Sequence, residues 1–146
     1  MDASLVIRDL RESDLPQILR IENLVFRPPW PEEAFQEVSC TQSWVICDAD
    51  VLRGYIMYHV VPDEAVIINF AIDPDHWRHG LGTILLDHTL KLILDQNVNT
   101  IYLDVRRSNL AALRLYQKFG FNPLGVRRNY YSEPVEDAIV MVRHRD

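Results

Sequence analysis

One segment of the chain restricts the possible folds more than any other. An apolar run at 66–72 predicts a buried strand, and apolar positions that repeat at helical spacing from Leu81 onward predict a helix. Between them lies a turn that carries Gly80 and Gly82. Glycines let the backbone approach a ligand closely, and the free N–H groups of a helix N-terminus attract anions. The layout suits a phosphate-binding loop, although the same turn could serve only to begin a helix.

The rest of the sequence excludes several other classes of function. The glycine turn has neither the Lys-Ser/Thr pair of a Walker loop nor the third glycine of a Rossmann fingerprint. No apolar run reaches the roughly 18 residues that span a bilayer, and residues 1–4 lack the features of a signal peptide. The net charge of −6 argues against nonspecific nucleic-acid binding, and Cys40 and Cys47 have neither metal-site nor redox spacing. We therefore expect a cytoplasmic protein that binds neither membrane nor nucleic acid directly and holds no metal.

The order of the predicted elements indicates a single domain, residues 1–146, built on a mixed sheet. With 48% hydrophobic content, 146 residues suffice to bury a core. The first helix opens with Asp14 as N-cap and must end at the prolines of 27–31. A helix between the fourth and fifth strands makes those strands parallel neighbours, and the apolar fourth strand is expected to be covered on both faces. Predicted strands cover 5–8, 43–48, 52–60, 65–72, 100–105, 126–131 and 138–143; predicted helices begin at Asp14 and Pro31 and cover 80–94 and 109–119.

Several motifs in a fixed order connect the glycine turn to the rest of the chain. The segment 73–86 is followed by Asp-Val-Arg-Arg-Ser-Asn at 104–109 and by Leu-Tyr-Gln-Lys-Phe-Gly-Phe at 115–121. With the opening segment 7–15, these motifs resemble the GNAT acetyltransferases over nearly the whole chain. Residues 120–131 and 136–141, and Pro29-Trp30 with Phe35, are similar to the bacterial RimI branch. The resemblance implies an α/β (α+β mixed sheet) GNAT-like fold, with a central seven-stranded mixed sheet flanked by about four helices.

The resemblance also implies a site for acetyl-CoA. Backbone groups of the strand would pair with the pantetheine arm like an added strand, and backbone N–H groups of the glycine loop would hold the pyrophosphate. Asn109 would N-cap the following helix, contact the cofactor, or do both. The family usually has Gln or Arg at the position of Trp77, so we expect measurable but weakened CoA binding. The predicted cofactor-binding residues are Phe70, Ala71, Ile72, Arg78, His79, Gly80, Leu81, Gly82, Thr83 and Asn109.

Two side chains are candidates for the chemistry of acetyl transfer. Asp104 lies on a largely buried strand, where a carboxylate suits a general base but could instead pair with a nearby arginine. RimI-like enzymes usually carry Glu there, and because Asp is shorter, proton removal through a bridging water is expected. Tyr116 lies on an otherwise apolar helix face, where a core tyrosine is the common alternative. The family context implies instead that Tyr116 is the acid that protonates the departing thiolate.

The acceptor is predicted from proton energetics and from aromatic residues. A free α-amino group, with a pKa of about 7.7–8.0, is roughly a tenth neutral at pH 7, whereas a lysine at about 10.4 is neutral at only about four parts in ten thousand. Asp104 as base therefore fits an N-terminal acceptor better than a lysine. Aromatic residues could line a peptide slot or could only cover hydrophobic surface, and acidic residues could attract a positive N-terminus. The aromatic candidates are Trp30, Phe35, Tyr130 and Tyr131, and the acidic candidates are Glu32, Glu33, Glu136 and Asp137.

The sequence thus predicts an acetyl-CoA-dependent N-acetyltransferase that acts on a protein N-terminal α-amine by direct attack, without an acyl-enzyme. The resemblance implies the N-terminal alanine of a small-subunit ribosomal protein as acceptor. Two alternatives stay open. One is an acetyltransferase of lysine, polyamine or small amines; the other is a CoA-binding GNAT module with little catalysis, for which Trp77 and Asp104 are the arguments.

Overall fold

The computed structural model describes residues 4–36, 41–77 and 80–145. Seven strands form one mixed sheet, and four α-helices pack on its two faces, which confirms the predicted fold class. The strands are β1 (Leu5–Asp9), β2 (Thr41–Asp48), β3 (Val51–Val61), β4 (Glu64–Ile72), β5 (Thr100–Arg106), β6 (Asn122–Tyr131) and β7 (Glu136–His144). The helices are α1 (Leu15–Val25), α2 (Glu32–Gln36), α3 (Leu81–Leu94) and α4 (Leu110–Lys118).

The sheet separates two hydrophobic cores. α3 and α4 cover one face, where Leu85 and Leu86 are fully buried. α1 and α2 cover the other face, where Ile18 and Ile21 are fully buried at a spacing of three residues. Within the described ranges, no helix is long and apolar enough to cross a membrane.

The order of the strands creates an opening in the middle of the sheet. The order is β1-β2-β3-β4-β5-β7-β6, and β4 and β5 are parallel, as the crossover through α3 predicts. Their pairing joins only residues 64–67 to residues 100–103. Beyond that point β4 stays paired with β3 and β5 stays paired with β7. Among the described residues, the edge of β4 that faces β5 therefore has no strand partner from 68 to 72.

A β-bulge in β4 changes which residues face which core. The register with β3 shifts at Ile68, which is the extra residue. Before the bulge Ile67 packs into the core under α3 and α4, and after it Ala71 packs into the core under α1 and α2. Val66 is 38% exposed, so the prediction that the strand is covered on both faces is wrong for its first half. The residues of β4 that pack under α1 and α2 lie at or after the bulge.

The start of α1 also differs from the prediction. Asp14 occupies the N-cap position, but its carboxylate makes no capping hydrogen bond. A short 3₁₀ turn at Glu12–Asp14 precedes the helix and gives Asp14 a helical backbone. Its carboxylate therefore points back and accepts hydrogen bonds from the backbone N–H of Arg11 at 2.8 Å and from the guanidinium of Arg8 at 2.9 Å. The hydrogen bond from Arg8 holds the pKa of Asp14 below its usual value.

Candidate active site

The glycine loop places an open helix N-terminus above the end of β4. Gly80 is the N-cap of α3 and has a left-handed backbone with φ of 77°, which a side chain would strain. Gly82 lies against β4 and α4, because a Cβ there would be 3.6 Å from Ile72 and 3.8 Å from Leu115. No side chain of the described residues caps this helix, so the N–H groups of its first turn are available to an anion. The predicted loop residues Arg78 and His79 lie outside the described residues.

The open edge of β4 is continuous with this helix N-terminus. Phe70, Ala71 and Ile72 pair with β3 on one side only, so their other backbone groups can pair with an extended ligand. Gly54 of β3, which the sequence did not single out, makes the close strand packing possible. A Cβ on Gly54 would lie 2.4 Å from Cδ1 of Ile72 and 2.9 Å from the carbonyl oxygen of Ala71.

Trp77 contacts this edge directly. Its indole Nε1 donates a hydrogen bond to the carbonyl oxygen of Ile72 at 2.8 Å, and 55% of the residue is exposed. The preceding Asp73 is 1% exposed; it accepts from the backbone N–H of Asp75 and pairs with Arg20 at 2.6 Å. Burial alone would raise the pKa of Asp73, but these hydrogen bonds outweigh burial and lower it. The residue that departs from the family pattern therefore lies at the predicted pantetheine edge, on a turn held by the ion pair between the buried Asp73 and the half-exposed Arg20.

Tyr116 is buried on the α3–α4 side of the sheet. It is 7% exposed, and its ring lies 6.3 Å from the ring of Phe70 and 5.8 Å from that of Phe121. Burial, and then the charge of Tyr131, raise the pKa of Tyr116. Its phenol therefore carries its proton at neutral pH. Asn109 N-caps the same helix by accepting from the backbone N–H of Ala112 at 3.1 Å, so the predicted capping role is confirmed and the cofactor contact stays a prediction.

Asp104 lies on the opposite face of the sheet from Tyr116. It is the first residue of β5 beyond the pairing with β4, and it points away from the core that buries Leu103. Its carboxylate accepts a hydrogen bond from Nε of Arg127 at 3.3 Å, so the alternative of an arginine pair is what the structure shows. Burial raises the pKa of Tyr131 to about 12, and the charge of Asp104 adds to that increase. The ring of Tyr131 lies 4.6 Å from the guanidinium of Arg106, which is two residues along β5 from Asp104.

The aromatic candidates for the acceptor slot divide into two groups. Phe35 is 7% exposed and packs between Trp30 at 5.2 Å and Tyr55 at 6.2 Å, so it belongs to the core and fits the alternative of a cover over hydrophobic surface. Trp30 is partly buried beside it. Tyr130 is 56% exposed and meets the half-buried Tyr131 edge-on at 5.1 Å. Trp30 and the two tyrosines are therefore the aromatics that remain available to a peptide.

The acidic candidates divide in the same way. Glu136 pairs with Arg106 at 3.0 Å, and Asp137 accepts from the backbone N–H of Asn129 at 2.9 Å. Both carboxylates are therefore engaged with other groups of the protein itself. Glu32 and Glu33 are exposed in the first turn of α2 and keep the role of attracting a positive N-terminus as a prediction.

Two residues that the sequence did not single out support the site. Glu22 of α1 is 1% exposed and accepts hydrogen bonds from the Tyr55 hydroxyl at 2.7 Å, the Asn69 side chain at 2.9 Å and the backbone N–H of Trp30 at 2.9 Å. Arg106 donates hydrogen bonds to backbone carbonyl oxygens in the segment between α1 and α2 and in the turn between β6 and β7. For Glu22, the available signal in the sequence was a glutamate on the apolar face of a helix. Among the residues that the structure describes, no group of three or more His, Cys, Asp or Glu side chains is placed to hold a metal ion.

A comparison with known families agrees with this geometry. A sequence model described as the acetyltransferase (GNAT) family matches residues 15–121. The chain belongs to the GNAT family. The GNAT match includes the open edge of β4, the glycine loop, Asp104 and Tyr116, whereas the site residues on β6, on β7 and in the turn between them lie beyond its end.

Individual relatives place the chain near the RimI branch of the GNAT enzymes. The ribosomal protein bS18-alanine N-acetyltransferase of Escherichia coli (strain K12) is 37% identical over 139 residues, covering 92% of this chain and 94% of that protein. The enzyme of the same name from Haemophilus influenzae is 31% identical over 144 residues, covering 93% and 96%. The crystal structure of the ribosomal-protein-S18-alanine N-acetyltransferase from Escherichia coli superposes with a TM-score of 0.88 at 36% identity, covering 96% of this chain and 93% of that one. The chain is therefore a RimI-like N-acetyltransferase in sequence and in fold.

Proposed function

We propose that the protein transfers the acetyl group of acetyl-CoA to the N-terminal α-amine of a protein, and that its acceptor is the N-terminal alanine of ribosomal protein bS18. The acceptor is inferred from the relatives, whose names state this activity. One structural observation carries the reaction type. The gap between β4 and β5 has a carboxylate, Asp104, on one face of the sheet and a buried phenol, Tyr116, on the other.

The donor would enter along the side of α3 and α4. The free N–H groups at the start of α3 would hold the pyrophosphate, and the open edge at 70–72 would pair with the pantetheine amides. The hydrogen bond from Trp77 to the carbonyl oxygen of Ile72 uses part of that edge. A carbonyl oxygen has two lone pairs, so Trp77 weakens this pairing without abolishing it.

The acceptor amine would approach from the face that carries Asp104. The carboxylate of Asp104, acting through a bridging water, removes the proton that the nitrogen loses as its lone pair forms the new C–N bond. The guanidinium of Arg127 lies 3.3 Å from this carboxylate. An N-terminal amine suits such a base, because it is neutral about two hundred times more often at pH 7 than a lysine side chain.

The leaving sulfur would meet Tyr116 on the other face. When the C–S bond breaks, the electron pair stays on sulfur, and the phenol donates a hydrogen bond and then its proton to give CoA–SH. Burial keeps that proton on Tyr116 at neutral pH. Base and acid therefore act from opposite faces, and no covalent enzyme intermediate is needed.

The test is the acetylation of matched peptides. We expect thiol release from acetyl-CoA to rise with a peptide whose first residue is a free alanine, and mass spectrometry to place one acetyl group on its α-amine. The same peptide with a blocked N-terminus and an internal lysine is the control. Acetylation of the lysine peptide alone would contradict the proposal in favour of a lysine acetyltransferase.

A second candidate is a CoA-binding protein with little turnover. The observations that favour it are the Trp77 indole on the β4 edge and the Asp104–Arg127 pair, which partly occupies the base. The peptide assay separates the two. Binding of CoA without release of thiol in the presence of any acceptor supports the second candidate.

A further inference from the structure

A single guanidinium joins several loops beside the acceptor face. Arg106 is the last residue of β5 and is two residues from Asp104, on the same face of the strand. Its Nη1 donates to Oε1 of Glu136 at 3.0 Å and to the carbonyl oxygen of Pro134 at 3.1 Å. Its Nη2 donates to the carbonyl oxygen of Ser132 at 2.7 Å and to that of Arg27. The two terminal nitrogens carry four N–H groups, so each of these N–H groups has its own acceptor.

The partner carboxylate extends this arrangement towards α4. The second oxygen of Glu136 accepts from the backbone N–H of Ser108 at 2.7 Å, immediately before the helix N-cap. The hydrogen bonds from Ser108 and from Arg106 lower the pKa of Glu136, so the ion pair is complete at neutral pH. The guanidinium also lies 4.6 Å above the ring of Tyr131.

The bonded loops are the ones that carry the acceptor candidates. Arg27 lies in the segment between α1 and α2, and Glu22 fixes the other end of that segment through the backbone N–H of Trp30 at 2.9 Å. Ser132 and Pro134 form the turn that follows Tyr131. Neither loop has a helix or strand of its own, and each is held to β5 by hydrogen bonds from Arg106. The distance between Trp30 and the tyrosines therefore depends on this side chain.

We propose that Arg106, paired with Glu136, is a positioning residue that sets the width of the acceptor slot by holding the 26–31 segment and the 132–135 turn on either side of Asp104. The inference rests on the proposed acetylation of a protein N-terminus and names the residue that selects a peptide over a bare amine. A lysine cannot replace Arg106. Its three N–H groups all belong to one nitrogen, whereas the planar guanidinium has two terminal nitrogens that together reach four acceptors.

The test compares Arg106→Lys and Arg106→Gln with wild type, using Arg107→Gln as the matched control. Arg107 is the neighbouring arginine, and its side chain is 69% exposed and pairs with Asp137 of β7 at 3.7 Å. The control therefore removes the same charge, and with it an ion pair to β7 instead of the hydrogen bonds to the two loops. Three quantities are measured: KM for an alanine-first peptide of several residues, KM for alaninamide, and Kd for acetyl-CoA. We expect the peptide KM to rise about tenfold in both Arg106 variants, the loss that one charge-assisted hydrogen bond represents. Alaninamide is too short to reach the loops, so its KM and the Kd for acetyl-CoA should stay within about twofold of wild type.

Three outcomes overturn the proposal. The first is a wild-type peptide KM in Arg106→Lys, because charge alone would then suffice. The second is an equal rise for peptide and alaninamide, and the third is a parallel loss of acetyl-CoA affinity; both would mean a general structural role. Arg106→Lys keeps the positive charge and a long aliphatic side chain, so it tests the idea even if Arg106→Gln fails to fold.

A double-mutant cycle with Glu136→Gln tests the pairing itself. We expect the peptide KM of the double variant to match that of Arg106→Gln alone, because both substitutions release the same loops. If the increases in peptide KM from the two single substitutions multiply in the double variant, the two residues do not act through the same loops. Absence of peptide turnover in the wild type would overturn the proposed function together with this inference, whereas normal wild-type turnover with an unmoved KM in the variants would overturn this inference alone.

Discussion

Removing one oxygen from Tyr116 is the sharpest test of the proposed chemistry. Tyr116→Phe keeps the ring between Phe70 and Phe121, whose centroids lie 6.3 and 5.8 Å away, so packing and the acetyl-CoA site should be unchanged. What is lost is the phenol proton on the leaving-group side. Because the residue is only 7% exposed, bulk water has little access to replace that proton.

The expected magnitude follows from the role of an acid. A positioned acid or base contributes roughly 10²–10⁴-fold, so we expect kcat to fall at least about a hundredfold, or about 2.7 kcal/mol of transition-state stabilisation. The Kd for acetyl-CoA should stay within about twofold. Since burial raises the pKa of Tyr116 above its usual 10.0, the wild type should show no loss of kcat from this residue between pH 6 and 9.

The assay is steady-state thiol release at saturating peptide, with acetyl-CoA affinity measured by calorimetry. The control is Tyr58→Phe, which removes a buried hydroxyl that accepts from Trp44 Nε1 at 2.8 Å on the same face of the sheet. The control leaves the indole N–H of the partly buried Trp44 without this partner, so it should lose about 1 kcal/mol of stability and keep its kcat. A Tyr116→Phe enzyme with kcat within about threefold of wild type would refute the acid role and leave the core-tyrosine interpretation.

Three further predictions follow from the loop and the β4 edge. Trp77→Gln frees the Ile72 carbonyl and restores the usual family residue, so the Kd for CoA should fall about tenfold; an unchanged Kd in calorimetry would dismiss this explanation. Gly54→Ala places a methyl group 2.9 Å from a backbone oxygen of β4. Urea unfolding should therefore show a loss of about 1–3 kcal/mol in the free energy of unfolding, together with weaker CoA binding. An unaltered urea midpoint would count against close packing of β3 on β4 at this position. The pKa of Asp73 is lower in the folded state than its unfolded value of 3.8, so its ionisation contributes stability that is complete above pH 3.8 and is lost as the pH falls through the folded pKa. Arg20→Gln removes the pairing, so its free energy of unfolding should fall less steeply with pH in this acid range. Identical dependence of unfolding on acid pH in the variant and the wild type would exclude this contribution.

Local patterns were sufficient for the elements but not for every contact they make. The helical spacing after Leu81 and the alternation of Ile101, Leu103 and Val105 correctly predicted α3 and β5, because each pattern reports the face that one element buries. The N-cap role of Asp14 was wrong in detail, since Arg8 lies on a different element and competes for the carboxylate. Phe35 shares its motif with Trp30, yet the fold buries one and leaves the other at the loop.

The sequence by itself determined the element order, the parallel pairing of β4 with β5 and the open N-terminus at Gly80, because these depend on local periodicity, crossover handedness and backbone freedom. It also supplied the motifs that carry the GNAT resemblance. Only the tertiary structure decided that the β4–β5 pairing ends before Asp104, that Asp104 and Tyr116 lie on opposite faces of the sheet, and that Arg106 holds residues from 27 to 136 around one guanidinium. The physical reason is that hydrogen bonds and ion pairs between distant segments form only after the sheet has brought those segments together, and no local pattern records them.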